Sequence, residues 1–281
     1  MELWYTEEWT KNVRFSTKIK NHLYSKKSSF QQIDIFESYE FGRFLTLDGL
    51  MMVNEKDEFI YHDMIVHPAM CVNPYIKKVL VIGAGDGGTV RELVRYNGIE
   101  HIDMVEIDKE VTNACIKFLP LTSSSLKNNR VKLYFEDGLV FVKNINDNYY
   151  DLIIVDSTDP IGPGEGLFTK DFYIDCHRIL NENGILINQH ESPYFESFSK
   201  EMKRAHNKIS NIFKFANIYQ AHIPTYPSGH WLFGFASKNL NPLNIKKDIW
   251  DSFGIKTKYY NIDLHNGAFA LPTYVKEMLY E

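Results

Sequence analysis

The apolar run Val79-Leu80-Val81-Ile82, mostly β-branched, passes directly into the glycine cluster Gly83-Ala84-Gly85-Asp86-Gly87-Gly88, and helix-forming residues follow from Val90 to Tyr96. This is the pattern of a buried parallel strand that turns sharply into a helix, with glycines that let the backbone come close to a bound molecule. The same alternation continues downstream. Apolar runs at 101–106, 131–134, 150–155 and 185–188 are separated by helical stretches at 109–118, 138–143 and 170–180, and another helix is expected from about 195 to 209. Regular βα alternation predicts an α/β fold with a doubly wound, mostly parallel sheet and helices on both faces. Two late runs, 217–219 and 231–235, are separated by Pro224-Thr225-Tyr226-Pro227-Ser228-Gly229 instead of a helix, so the sheet is expected to end in an antiparallel strand.

The first 55 residues read differently. Partial alternation at Gln31-Gln32-Ile33-Asp34-Ile35-Phe36, a second run at 42–47 and the turn signal Asp48-Gly49 before Leu50-Met51-Met52-Val53 predict a small antiparallel sheet. A linking helix is expected from Lys56, with Asp57-Glu58 suited to its first turn, and Pro74 closes it. The division expected is an N-terminal β-domain over 1–55 and a catalytic domain over 56–281 that includes the linking helix 56–73.

Composition excludes several functions. With 281 residues, 44% apolar and 24% charged, the chain can bury a large core, and a net charge of −5 with scattered Lys and Arg argues against a nucleic-acid partner. Cys71, Cys115 and Cys176 lie far apart with no Cys-x-x-Cys pair, so neither a disulfide framework nor a metal site is indicated. No basic region precedes an apolar stretch at the N-terminus and no run reaches membrane-spanning length; the expectation is a soluble cytoplasmic protein with no membrane partner.

In a doubly wound sheet, ligands bind beyond the carboxyl ends of the strands. The residues expected there are the Gly83–Gly88 turn, Glu106, Asp137, the stretch Asp156-Ser157-Thr158-Asp159, and Gln189. Glu106 falls about 20 residues beyond Gly83, the spacing at which an acid accepts both hydroxyls of a ribose. Asp137-Gly138 could accept from an adenine amino group or could cap the helix that begins there. Asp86 narrows the choice of nucleoside. A carboxylate in this turn would repel a pyrophosphate and sit poorly beside an amino-acid carboxylate, whereas a nucleoside whose tail ends in a bare amine would be attracted. Asp156 and Asp159 precede the glycine-rich stretch 160–166, long enough for a lid. If the second substrate is an amine, an acid there could hold its ammonium and take a proton from it, with Tyr61 and His62 as helpers.

Together, Leu47-Asp48-Gly49, Asp57-Glu58-Phe59-Ile60-Tyr61-His62, Gly83-Ala84-Gly85-Asp86-Gly87-Gly88, Val105-Glu106-Ile107-Asp108, Asp156-Ser157-Thr158-Asp159-Pro160-Ile161-Gly162-Pro163 and Ile223-Pro224-Thr225-Tyr226-Pro227-Ser228-Gly229 resemble the polyamine aminopropyltransferases over nearly the whole chain, in one order. The resemblance implies a Rossmann-like, methyltransferase-type domain after an N-terminal β-domain, and transfer of an aminopropyl group from decarboxylated S-adenosylmethionine to putrescine, giving spermidine and 5'-methylthioadenosine. The donor would be a co-substrate, with no resident cofactor and no metal. Carried over, the resemblance makes Asp156 the proton acceptor, with Tyr61 and Tyr226 orienting the amine. Asp159 would hold the diamine, and Gln189 would line its pocket. Asp86, His62 and Gln31 would surround the aminopropyl tail, Glu106 the ribose, and Asp137-Gly138 the adenine. Met52 stands where several members have glutamine. A homodimer or homotetramer is expected. The rivals are an amine methyltransferase using ordinary S-adenosylmethionine, which would share the nucleoside contacts, and a non-catalytic nucleoside or polyamine sensor.

Overall fold

The computed structural model describes residues 2–158 and 162–280, apart from the side chains of 162 and 163. Residues 3–54 form a five-stranded antiparallel meander of β1 (Leu3–Thr10), β2 (Val13–Lys27), β3 (Gln32–Ser38), β4 (Arg43–Leu47) and β5 (Leu50–Asn54), in that order. Asp48 and Gly49 join β4 to β5 with φ of +49° and +84°, the paired left-handed conformations of a two-residue hairpin turn that an Asp-Gly dipeptide supplies at little cost. The sequence specifies β3 to β5 but not β1 and β2. Burial alternates over the first half of β2, with Thr17 and Ile19 inward, but no other residue of its 15 is buried, so the pattern is too weak to mark the whole strand.

Helix α1 (Glu58–Val72) follows and is buried along its whole length except at Phe59, including Glu58, His62, Asp63 and His67. A helix buried on every side carries apolar residues all round, and the polar ones it does bury must be paired. Beyond it the seven-stranded sheet is built from β6 (Lys78–Gly83), β7 (His101–Val105), β8 (Val131–Tyr134), β9 (Tyr150–Asp156), β10 (Leu180–Gln189), β11 (Phe215–His222) and β12 (His230–Ser237), with spatial order β11-β12-β10-β9-β6-β7-β8. Strands β6 to β10 pair in parallel, and β12 runs antiparallel to both β10 and β11. The stretch between β11 and β12 is too short for a parallel crossover, which needs a dozen or more residues, so β12 must return as a hairpin.

The intervening helices are α2 (Gly88–Leu93), α3 (Lys109–Phe118), α4 (Pro120–Ser123), α5 (Gly138–Lys143), α6 (Lys170–Ile179) and α7 (Glu196–Ser210), and α8 (Lys247–Ser252), α9 (Ile262–Ala268) and α10 (Thr273–Tyr280) complete the chain. The central strands feed two cores. Val79, Val81, Leu152, Ile154, Ile185 and Ile187 pack on the side of α1, whereas Leu80, Ile82, Ile153, Val155 and Leu186 pack on the side of α5, α6 and α7. This is why these strands read as continuous apolar runs. The inner face of the small sheet packs Ile33, Ile35, Leu45, Leu47 and Val53 against Val111, Ala114, Cys115 and Leu119 of α3 and its C-terminal end, so α3 stands between the sheets. All three cysteines are buried and free. Among the described residues no helix is long and apolar enough to cross a membrane.

Candidate active site

The carboxyl ends of β6, β7, β9 and β10 open into a cleft that the small sheet covers, and two glycines shape its floor. Gly83 has φ +85°, and a Cβ there would lie 2.1 Å from the Asp156 carbonyl oxygen, so only glycine lets β6 and β9 run side by side to this point. At Gly88 a Cβ would lie 2.1 Å from His62 Cε1; its absence lets the imidazole rest against the start of α2.

Asp156, the last residue of β9, is held from two sides. The Tyr61 hydroxyl of α1 donates to Oδ1 (2.7 Å) and the Thr89 hydroxyl of α2 donates to Oδ2 (2.6 Å). Burial raises the Asp156 pKa above the usual carboxylate range and Asp86 adds to this; His62, Thr89 and Tyr61 pull the other way. Burial and Asp156 together keep the Tyr61 phenol protonated.

Asp86 accepts the backbone N–H of Gly88 on Oδ1 (2.8 Å), and His62 Nε2 approaches the same oxygen at 3.4 Å. The other ring nitrogen of His62 lies 2.5 Å from Glu58 Oε2, and Arg91 donates to both oxygens of Glu58 (2.9 and 2.8 Å). The series Arg91, Glu58, His62, Asp86 thus alternates in sign from the edge of α2 to the cleft. Burial by itself would lower the His62 pKa, but Asp86 and Glu58 outweigh it and raise it to about 10. Burial would likewise raise Glu58, yet His62 and Arg91 bring it down to about 2. His62, Asp86 and Asp156 place ligand atoms within 4.8 Å of one another.

At the end of β7, Glu106 is buried, and burial pushes its pKa up to about 7, the Asp108 N–H on Oε1 (2.8 Å) opposing the rise. Asp108 caps α3 and accepts the Ser28 hydroxyl (2.6 Å) and the Gln31 amide (3.1 Å). Gln31 is therefore tied to the Glu106 side of the cleft, without a bond to Asp86 or His62 among the described residues. Asp137 does cap α5, taking the Leu139 N–H on Oδ1 (2.8 Å), and both Asp137 and Gly138 line the cleft.

At the other end, the Tyr226 hydroxyl donates to the Met52 carbonyl (2.6 Å) and its ring lies 5.9 Å from that of Tyr61. The Gln189 side-chain oxygen Oε1 accepts the Glu191 N–H (3.1 Å). Buried Asp57 accepts the Thr225 hydroxyl (2.8 Å) and the Asn54 amide (2.6 Å), and Asn54 also donates to the Thr225 hydroxyl (2.9 Å). Asp159 lies outside the described residues, and residues 162–168 form 3₁₀ turns with Gly164 and Leu167 on the cleft wall.

Two family models match: a spermine/spermidine synthase domain over residues 58–247 and a spermidine synthase tetramerisation domain over residues 3–55. The chain belongs to the polyamine aminopropyltransferase family. It is 67% identical over 279 residues to the polyamine aminopropyltransferase of Clostridium perfringens strain SM101, covering 99% of this chain and 98% of that one. The corresponding protein of Clostridioides difficile strain 630 is 65% identical over 282 residues, with full coverage of both. A spermidine synthase solved in complex with the transition-state analogue AdoDATO superposes with a TM-score of 0.95 at 39% identity, over 99% of this chain and 94% of that one. Spermidine synthase from Thermotoga maritima gives 0.94 at 39% identity, with the same coverage. The fold expected from the βα alternation is thus the aminopropyltransferase fold, and the chain is a transferase.

Of the residues singled out from this aminopropyltransferase sequence, Tyr61, His62, Asp86 and Asp156 converge, Glu106 stands with Gln31 nearby through Asp108, and Tyr226 and Gln189 lie with them on the same cleft. The structure adds Thr89, Glu58 with Arg91, and Asp108 with Ser28, none of which was named as a site residue. Thr89 follows the glycine turn directly, and the first turn of the helix after β6 faces the end of its neighbour β9; that adjacency was the available signal.

Proposed function

We propose that this aminopropyltransferase transfers the aminopropyl group of decarboxylated S-adenosylmethionine to putrescine, giving spermidine and 5'-methylthioadenosine. The observation that carries the reading is the pairing of Asp86 and Asp156 at one rim, where the aminopropyl tail and the attacking amine would meet between two carboxylates. The relative solved with a transition-state analogue supports it.

The sulfonium is already a good leaving group, so the protein's task is to deliver an uncharged amine in line with the carbon–sulfur bond. The nitrogen lone pair attacks the carbon next to sulfur, the carbon–nitrogen bond forms, and the breaking bond leaves its electrons on sulfur as a neutral thioether. Asp156 takes the proton that the nitrogen sheds. A primary amine with a solution pKa near ~10.4 costs roughly 4–5 kcal/mol to deprotonate at neutral pH. A carboxylate raised by burial is better matched to that transfer than an ordinary one. Tyr61 and Tyr226 orient the amine, Asp159 holds the diamine and belongs to the lid, and Gln189 lines the acceptor pocket. Asp86 and His62 face the tail, Glu106 and Gln31 the ribose, and Asp137-Gly138 the adenine, while Gly83 lets β6 and β9 run side by side beneath the donor. No resident cofactor or metal takes part. The 3–55 sheet assembles a dimer or tetramer, in keeping with the tetramerisation-domain match, in the cytoplasm.

Incubation with putrescine and either S-adenosylmethionine or its decarboxylated form, followed by mass spectrometry, tests this. An aminopropyl gain from the decarboxylated donor alone is expected, and a methyl gain overturns the reading. Asp156→Asn should abolish turnover while sparing donor binding; near-normal turnover would remove Asp156 as the base.

A further inference from the structure

Thr89 is completely buried in the first turn of α2, and its hydroxyl is committed to a carboxylate on another element, 2.6 Å from Asp156 Oδ2. Tyr61 occupies Oδ1 at 2.7 Å, so each oxygen of Asp156 already carries one donor. A hydroxyl beside a carboxylate makes a charge-assisted bond, roughly twice as strong as the neutral one that remains once the carboxylate is protonated. Such a donor favours the ionised form and opposes its protonation.

We infer that Thr89 is a positioning residue for the proton transfer: it fixes the rotation of the Asp156 carboxylate, directs the arriving amine to the lone pairs it leaves open, and holds the base in its ionised form between turnovers. This rests on Asp156 being the proton acceptor. The other groups facing Asp156 come from every element around it: Asp86 on the glycine turn, Tyr61 and His62 on α1, Glu106 at the end of β7, and Tyr226 beyond Tyr61. Removing the Thr89 hydroxyl leaves each of these in place, so a change in the titration of Asp156 can be traced to the lost donor.

The test is the pH dependence of single-turnover aminopropyl transfer, at saturating donor and putrescine, for the parent, Thr89→Val, Thr89→Ala and Thr89→Ser. Without the donor the protonated form of Asp156 persists to higher pH. The acidic limb should therefore move up by about 0.5–1 unit in Thr89→Val and Thr89→Ala, the excess of a charge-assisted hydrogen bond over the neutral one. Thr89→Ser restores the hydroxyl and should return the limb to the parent position. A Val or Ala profile that overlays the parent refutes the inference, as does a Ser variant that behaves like Val. Asp156→Asn run beside them separates the two claims. If it is inert while Thr89→Val matches the parent, only the role of Thr89 falls; if it turns over normally, the assignment of the base falls first.

Discussion

Glu106 carries a charge state that depends on what occupies the cleft. With its pKa at about 7 it is half protonated near neutrality, because burial penalises the carboxylate more than the Asp108 N–H repays. A ribose diol donating to it would stabilise the ionised form and lower that pKa in the complex. Binding of 5'-methylthioadenosine should therefore tighten as pH rises through about 7 and level off above it, releasing about half a proton at the midpoint. Calorimetry at pH 7 in buffers of different ionisation enthalpy measures that proton, and Glu106→Gln should abolish both the release and the pH dependence. Proton uptake on binding would contradict the ribose role. Residues of this kind are legible in a sequence because parallel topology brings the carboxyl end of every strand to one rim, so an acid at the end of an apolar run is a site acid by construction. Thr89, Arg91 and Glu58 were not legible as partners. Thr89 could be read only from its place after the glycine turn, facing the end of β9, while Arg91 and Glu58 meet through the packing of α1 against α2, which no spacing rule encodes.

At the scale of elements, α3 links the small sheet to the Glu106 side of the cleft, where the proposed function puts the nucleoside. Its outer face carries the apolar contacts of β3, β4 and β5, Lys26 reaches Glu110 (2.6 Å), and Arg43 donates to the Phe118 carbonyl (3.0 Å). Its cap, Asp108, binds Ser28 and Gln31 from the small sheet and supports Glu106 through its own N–H. An outer partner that orients a binding carboxylate is commonly worth about 10-fold in affinity or more. Asp108→Asn should weaken 5'-methylthioadenosine binding by about that factor, and Ser28→Ala by about 3–10-fold, with the KM for putrescine unchanged and Ser28→Thr close to the parent. An equal rise in both substrates' KM would point instead to general loosening. The sequence announced β3 to β5 through alternation and an Asp-Gly turn, and α1 through its first-turn acids. It was silent on β1 and β2 because polar Glu7 and Thr17 take inward positions beside Tyr5 and Ile19 and most of β2 is solvated, which blurs the apolar period of two that marks a strand.

At the scale of the whole molecule, the cleft is bounded by two joints between the sheets. The α3 joint serves the Glu106 end, where the proposed function puts the nucleoside. The other joint lies at the start of α1, where Asp57 and Asn54 grip Thr225, and the Tyr226 hydroxyl bonds to the Met52 carbonyl of β5. The stretch between β11 and β12 keeps its shape through its own backbone bonds, Ile223 and Gly229 pairing across it and a 3₁₀ turn closing it at Pro227–Gly229, while this second joint ties the side chains of Thr225 and Tyr226 to the small sheet and the start of α1. It also holds Tyr226 against Tyr61, the pair that would orient the amine. Thr225→Val removes the hydroxyl from two buried hydrogen bonds at once and leaves Asp57 and Asn54 short of a partner, a loss of about 1–3 kcal/mol in unfolding free energy. The proposed function puts this joint on the acceptor side, so on that reading the KM for putrescine should rise several-fold while 5'-methylthioadenosine affinity stays at the parent value. Urea unfolding and the two binding measurements on one preparation check this together. A variant that loses stability and both affinities in proportion would show one shared hinge between the sheets; selective loss at the amine end would show two independent joints, each holding one substrate.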